Sequence, residues 1–217
     1  MIRACIFDLD GTLANTLTSI AFFGNEALGA CGYQKIERDR YRYLVGDGAD
    51  QLMRRMLKTA GEEVTEEKVS ALRKIYDHLY ESDVMYLTDS YPGITETLGE
   101  MKRRGLKLAV FSNKPHNVAC EVVEKLFPKG TFDLYYGQRP EVERKPSPQG
   151  ALLIAEELGV SPGECLYMGD TDVDMRTGKS AGMFTVGVLW GFREKEELLR
   201  GGADALAAQP KDLLQYL

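Results

Sequence analysis

Two aspartates near the N-terminus, Asp8 and Asp10, follow an apolar run at residues 4–7, and Gly11 comes directly after them. Residues i and i+2 of a strand point to the same side, so a regular strand would crowd the two carboxylates. Like charges at that range repel unless a cation, a proton or a phosphoryl group comes between them. Gly11 lets the chain turn away where a side chain would clash. Three more polar clusters follow downstream: Ser112-Asn113-Lys114-Pro115, Arg144-Lys145-Pro146-Ser147-Pro148 and Gly169-Asp170-Thr171-Asp172-Val173-Asp174.

The chemistry open to such a set is narrow. A phosphoryl transition state spreads negative charge over three oxygens, and its catalysis is mostly positioning and charge stabilisation. Asp8, Asp10 and Asp170 form a hard, all-oxygen group suited to Mg²⁺. Ser112 offers a hydroxyl, the amides opening the following helix can bind a phosphate oxygen, and Lys145 brings positive charge. One aspartate can attack phosphorus. A second acid can protonate the leaving oxygen and then activate water, worth ~10²–10⁴-fold. Taken singly, each piece has a plainer explanation. Ser112-Asn113 reads as a capping pair and Lys145 as a solvated loop lysine. The 169–174 run reads as a turn with an acidic helix start, without the glycine and final glutamate of an EF-hand loop. Four pieces in order, each after an apolar run, point to one site.

The elements that must position these groups follow from periodicity. Residues 4–7, 106–111, 132–136, 164–168 and 183–189 are short apolar runs read as strands. Between and after them lie helical stretches at 94–104, 115–126, 148–158, 172–181 and 194–200, with a short 203–205 segment and a last helix at 211–217. Alternation of this kind predicts an α/β fold, a doubly wound parallel sheet with helices on both faces. Ligands then sit beyond the carboxyl ends of the strands, where all four clusters fall. Residues 16–30, 50–58 and 66–80 are helical without a strand between them, with Thr16 a candidate N-cap. Leu52, Met53, Met56 and Leu57, then Val69, Leu72, Ile75, Tyr76 and Leu79, supply their apolar faces. The expected organisation is a core of residues 1–14 and 86–217 carrying an inserted all-helical cap at 15–85, joined through linkers near residues 14–15 and 85–92.

Composition excludes several classes. The 217 residues are 44% hydrophobic with a formal charge of −6, which supports a sizeable core and argues against nucleic-acid binding. No apolar run approaches the ~18 residues of a membrane span, and residues 1–3 lead straight into the first strand, so neither a membrane nor a signal peptide is expected. Cys5, Cys31, Cys120 and Cys165 are scattered without a CxxC pair, which suits a reduced, cytoplasmic setting. His78 and His116 show no metal-ligand spacing, and the role of His116 is open.

The four clusters resemble the motifs of the haloacid dehalogenase superfamily over nearly the whole chain. Its Rossmann-like core and helical cap fit the pattern above. The resemblance implies Asp8 as nucleophile, Asp10 as general acid and base, and Ser112 and Lys145 as the holders of the phosphoryl group. It places Mg²⁺ on the Asp8 carboxylate, the Asp10 carbonyl and Asp170, with Asp174 beside them. Arg42-Tyr43-Leu44-Val45-Gly46-Asp47-Gly48, Tyr91-Pro92-Gly93 and Asn113-Lys114-Pro115 look like the phosphoglycolate phosphatase subfamily. They imply substrate contacts at Thr12, Asn113, Lys114, Arg42 and Gly46, with Arg42 facing a substrate carboxylate or simply solvated. Asn15-Thr16 departs from the family's usual acid at that point, and Ser112 stands where threonine is frequent. The function expected is a Mg²⁺-dependent phosphatase of a small phosphorylated metabolite, 2-phosphoglycolate first, working as a monomer or homodimer. A pyrophosphatase, a β-phosphoglucomutase-like phosphotransferase and a non-catalytic phosphometabolite-binding protein are the alternatives. Thr12, where the mutases usually carry an aliphatic residue, disfavours the phosphotransferase.

Overall fold

The structure, a computed structural model, describes residues 1–217. Six parallel strands form one sheet in the order β5-β4-β1-β6-β7-β8. They are β1 (Ala4–Phe7), β4 (Lys107–Pro115), β5 (Leu134–Gln138), β6 (Cys165–Gly169), β7 (Phe184–Val188) and β8 (Ala205–Ala207). β1 lies between β4 and β6, and all four of its residues are buried, which is why it reads as an unbroken apolar run. Side chains alternate strictly between the faces. Cys5, Phe7, Leu108, Val110, Leu166 and Met168 join one core, whereas Ile6, Ala109, Phe111, Cys165 and Tyr167 join the other. Helices α4 (Ile94–Arg103) and α5 (His116–Leu126) cover the first face and α6 (Gln149–Glu157) the second, with α7 (Asp172–Ser180) and α8 (Lys195–Gly201) completing the set. The order reverses between β1 and β6, so this α/β sheet has its switch point where Asp8 and Asp170 emerge.

Helices α1 (Leu17–Ala30), α2 (Ala49–Thr59) and α3 (Glu66–Ser82) come between β1 and α4 and contain no strand. Their apolar faces run on continuously from the first core. The buried face of α3 is Val69, Leu72, Tyr76 and Tyr80, with Ile75 and Leu79 only half-buried beside it. Thr65 caps α3, its hydroxyl accepting from the Lys68 amide at 3.3 Å. Thr16 occupies the N-cap position of α1, but its hydroxyl is buried and makes no cap. The two linkers pair as a small antiparallel ribbon, β2 (Ala14–Asn15) with β3 (Asp89–Ser90).

Three boundaries differ from the sequence reading. β4 continues through Ser112, Asn113 and Lys114 to Pro115, with its register broken after Phe111. The residue before a proline is held extended, so the polar cluster prolongs the strand rather than opening the helix. The segment at 203–205 belongs to a sixth strand, displaced to Ala205–Ala207 on the β7 edge. The terminal helix is a 3-10 helix at Pro210–Tyr216. No helix is long and apolar enough to cross a membrane.

Candidate active site

β1 ends at Phe7, and the next residue, Asp8, is buried with its amide donating to the Met168 carbonyl at 2.9 Å. The chain then turns, so Asp8 and Asp10 do not share one regular strand and their carboxylates take different partners. Lys145 Nζ lies 2.7 Å from Asp8 Oδ1 and 2.6 Å from Asp174 Oδ1. Lys114 Nζ lies 3.1 Å from Asp10 Oδ1 and 3.0 Å from the Tyr80 hydroxyl.

Asp170 follows β6, fully buried. It accepts from the Thr12 hydroxyl at 3.2 Å and from the Phe192 amide at 2.8 Å. Two glycines make room for it. A Cβ at Gly11, where φ is +90°, would meet Asp170 Oδ2 at 2.2 Å, and one at Gly191 would meet Asp170 Cβ at 2.3 Å. Asp174 does two jobs with its two oxygens. Oδ1 pairs with Lys145, while Oδ2 accepts from the Thr171 hydroxyl at 2.6 Å and closes a capping box on α7. The plain explanation of this run, an acidic helix start, therefore holds together with the functional one.

Carboxylate oxygens of Asp8, Asp170 and Asp174 lie within 4.8 Å of one another. Burial, then the Asp174 charge, raises the Asp8 pKa well above the usual carboxylate range, against the pull of Lys145. The same two causes push Asp170 up to about 7. Burial disfavours the Lys145 ammonium, but Asp174 and Asp8 outweigh it and hold its pKa high. When all three are ionised, the carboxylates against one ammonium leave two negative charges in a buried space, and one hard divalent cation would offset them. The donor set therefore fits such an ion, with Asp8, Asp170 and Asp174 as the side chains able to hold it.

Above this floor a cleft opens between the sheet edge and the helical block. Asp8, Asp10, Ser112, Asn113, Lys114 and Gly46 line it, and Thr12, Arg42 and Lys145 do not. Ser112 accepts from the Lys114 amide at 3.2 Å, leaving its hydroxyl hydrogen for the cleft. Asn113 is spent on positioning. Its side-chain amide donates to the carbonyls of Gly46 and Lys145, both at 3.1 Å, and its oxygen accepts from the Lys145 amide at 2.8 Å. It thereby ties the helical block to the loop that carries Lys145. Thr12 gives its hydroxyl to Asp170. Arg42 reaches Glu194 at 3.6 Å. His116 accepts from the Gly137 amide at 3.2 Å, and partial burial lowers its pKa.

Sequence reasoning missed three contributors. The loop after β7 supplies the Phe192 amide to Asp170, and Trp190 donates to the Thr12 carbonyl at 2.9 Å. The rule that found the other groups, inspection of the residues after each strand, would have found these had it been applied to the run ending at Leu189. Tyr80, on α3, carried no signal beyond an apolar-stripe position.

Comparison with known proteins bears on this arrangement. Residues 5–188 match the family model described as haloacid dehalogenase-like hydrolase. The phosphoglycolate phosphatase of Aquifex aeolicus (strain VF5) is 35% identical over 215 residues, covering 99% of this chain and 96% of the relative. That of Escherichia coli (strain K12) is 31% identical over 233 residues, covering 100% and 92%. A crystal structure from Lactobacillus delbrueckii subsp. bulgaricus, provisionally named a phosphoglycolate phosphatase, superposes with a TM-score of 0.94. It is 27% identical and covers 99% of this chain and 97% of its own.

Proposed function

The chain belongs to the haloacid dehalogenase-like hydrolases and is a phosphatase, and from that premise we propose that it hydrolyses a small phosphate monoester through an aspartyl phosphate on Asp8. The observation that carries this reading is the placing of Lys145 between Asp8 and Asp174, with Asp10 held apart from them by Lys114.

Lys145 and the Ser112 hydroxyl neutralise and orient the phosphoryl oxygens. Asp8 attacks phosphorus as the bond to the ester oxygen breaks, and Asp10 gives that oxygen its proton. Asp10 then takes a proton from water as the water attacks the aspartyl phosphate, which frees inorganic phosphate and restores Asp8. Asp8, Asp170 and Asp174, with the Asp10 carbonyl, would hold Mg²⁺, whose charge would let a phosphate dianion approach three carboxylates. Residues 15–85 act as the cap over a core of 1–14 and 86–217. The names of the relatives put 2-phosphoglycolate first among the substrates. The four cysteines are all free, which supports a reducing cytoplasmic setting.

The test is phosphate release with Mg²⁺ from 2-phosphoglycolate, pyrophosphate, sugar phosphates and an aryl phosphate, with Asp8→Asn as control. Release that is silent in the control is expected. Release undiminished in a folded Asp8→Asn protein would overturn the mechanism.

A further inference from the structure

The loop after β7 packs residue by residue against the floor. The Trp190 indole donates to the Thr12 carbonyl at 2.9 Å. Gly191 lies so close to Asp170 that a Cβ there would meet Asp170 Cβ at 2.3 Å. The Phe192 amide donates to Asp170 Oδ2 at 2.8 Å. The next side chain, Arg193, leaves the floor and reaches the helical block. Its guanidinium donates to the carbonyls of Arg42 and Val45, the latter at 3.0 Å. No step of the phosphoryl transfer uses that guanidinium.

Arg193 is fitted to hold both carbonyls at once. It is 9% exposed, its Nε pairs with Glu197 at 3.0 Å, and its guanidinium lies 5.6 Å from the centre of the Tyr43 ring. Glu197 balances the charge and fixes the plane of the fork, which leaves Nη1 and Nη2 for the two carbonyls. A backbone carbonyl accepts whatever side chain its residue carries. The grip therefore reads the path of residues 42–45, and that path leads into the cleft wall at Val45, Gly46 and Gly48. Two other core side chains donate to the same stretch. Asn113 reaches the Gly46 carbonyl at 3.1 Å, and Arg144 reaches the Asp47 carbonyl at 3.5 Å, long for a hydrogen bond. Asn113 ties the stretch to the Lys145 loop. Of the three, Arg193 alone leads to Asp170, from the residue next to the one whose amide holds that carboxylate.

We propose that Arg193 is a positioning residue that couples the floor to the wall, so that a divalent cation on the floor also fixes residues 42–48 of the helical block. With the block docked, the two bonds from Arg193 hold the loop, and the loop holds the Phe192 amide on Asp170. With the block undocked, those two bonds are gone and the amide is free to leave the carboxylate. A cation that favours the ordered carboxylate therefore favours the docked block. Such coupling is reciprocal, so docking tightens the cation site by the same factor. This inference rests on the cation site of the phosphatase reading and adds to it a residue that lies outside the cleft lining.

The test is amide hydrogen exchange of the full chain with and without Mg²⁺, in the absence of substrate, for the wild type, Arg193→Met and Arg193→Lys. Two stretches are read, 189–193 beside Asp170 and 42–52 in the block. In the wild type Mg²⁺ is expected to slow exchange in both, and in the block by about fivefold or more, the lower end of ordinary coupling between sites. In Arg193→Met the slowing at 189–193 should survive, and that at 42–52 should fall below about twofold. Arg193→Lys keeps a positive charge beside Glu197, but a point ammonium cannot serve both carbonyls as the planar fork does, so it should behave like Arg193→Met. Block protection that persists undiminished in either folded variant would overturn the coupling. A wild type in which Mg²⁺ raises the thermal midpoint but protects nothing at 42–52 would overturn it too, and would leave the cation site standing. Mg²⁺ without effect on midpoint or exchange would overturn the cation site and the coupling together. Exchange needs no turnover, so a wild type that releases phosphate from no ester would overturn the phosphatase reading without touching the coupling.

Discussion

On the floor of the cleft, Asp8, Lys145, Asp170 and Asp174 are all buried, and each meets a partner carried by a different part of the chain. On the wall formed by α3 and the loop before α2, Glu81 is exposed, Asp77 is half-buried against Arg73, and Gly46 is held only through Asn113. The floor is an over-determined charge cluster, and the wall is a packing surface with few polar demands. Chemistry tolerates no change in the first, whereas the second can vary with the substrate at a cost of ~1–3 kcal/mol per contact.

The difference is sharpest where activity and stability part company. Asp8→Asn removes the nucleophile, and a loss of at least ~10³-fold in kcat is expected from a substitution that deletes the attacking group. The same substitution removes one of three crowded negative charges, so the thermal midpoint of the metal-free protein should stay level or rise. A folded variant with near-normal turnover would break the assignment of the floor. Lys145→Met should do the opposite to stability. It leaves three carboxylates without their only ammonium, and breaking a buried pair from one side costs about 3–5 kcal/mol. Urea unfolding of the metal-free protein measures it; a change of less than about 1 kcal/mol would mean that the cluster is far wetter than its burial implies.

Metal and proton compete for the same floor. The folded pKa of Asp170 is about 7, above the ordinary carboxylate range. A raised folded pKa contributes stability that is present at low pH and lost as pH rises through about 7. The metal-free protein should therefore lose thermal stability between about pH 5 and about pH 8 through this group, and added Mg²⁺ should raise the midpoint more at the upper end. A metal-induced shift equal at both ends would separate the metal from these carboxylates. Substitutions on the wall should leave that pH dependence unchanged.

The same contrast governs what the sequence reveals. Floor residues follow strands, and buried strands are legible as apolar runs, so Asp8, Ser112, Lys145 and Asp170 could be placed on one edge before any coordinates. The doubling of Asp174 as cap and ion-pair partner was not legible, because both roles use the same residue type at the same spacing. Strands of two and three residues, β2, β3 and β8, are too short for a period to show. Tyr80 illustrates the wall. Its ring packs at a helical repeat like any core aromatic, and only the approach of Lys114 from a distant strand gives its hydroxyl a role.

Arg42 provides the smallest expected effect and the closest test of the wall. Its subfamily-like setting suggests a substrate contact, but its guanidinium lies 3.6 Å from Glu194 with the two side chains 35% and 70% exposed. Exposed pairs of that kind contribute about 0–1 kcal/mol. Its Nε is buried without a partner, so truncation also removes an unsatisfied donor. The carbonyl of Arg42, which accepts from Arg193, survives any side-chain change. Arg42→Ala should therefore shift stability by no more than about 0.5 kcal/mol and leave kcat/KM for 2-phosphoglycolate within about threefold, since a solvated pair adds little to binding. A loss of about 10²-fold on 2-phosphoglycolate, absent with 2-hydroxyethyl phosphate, would be the mark of a desolvated charge contact. It would show that the helical block swings Arg42 into the cleft when substrate binds.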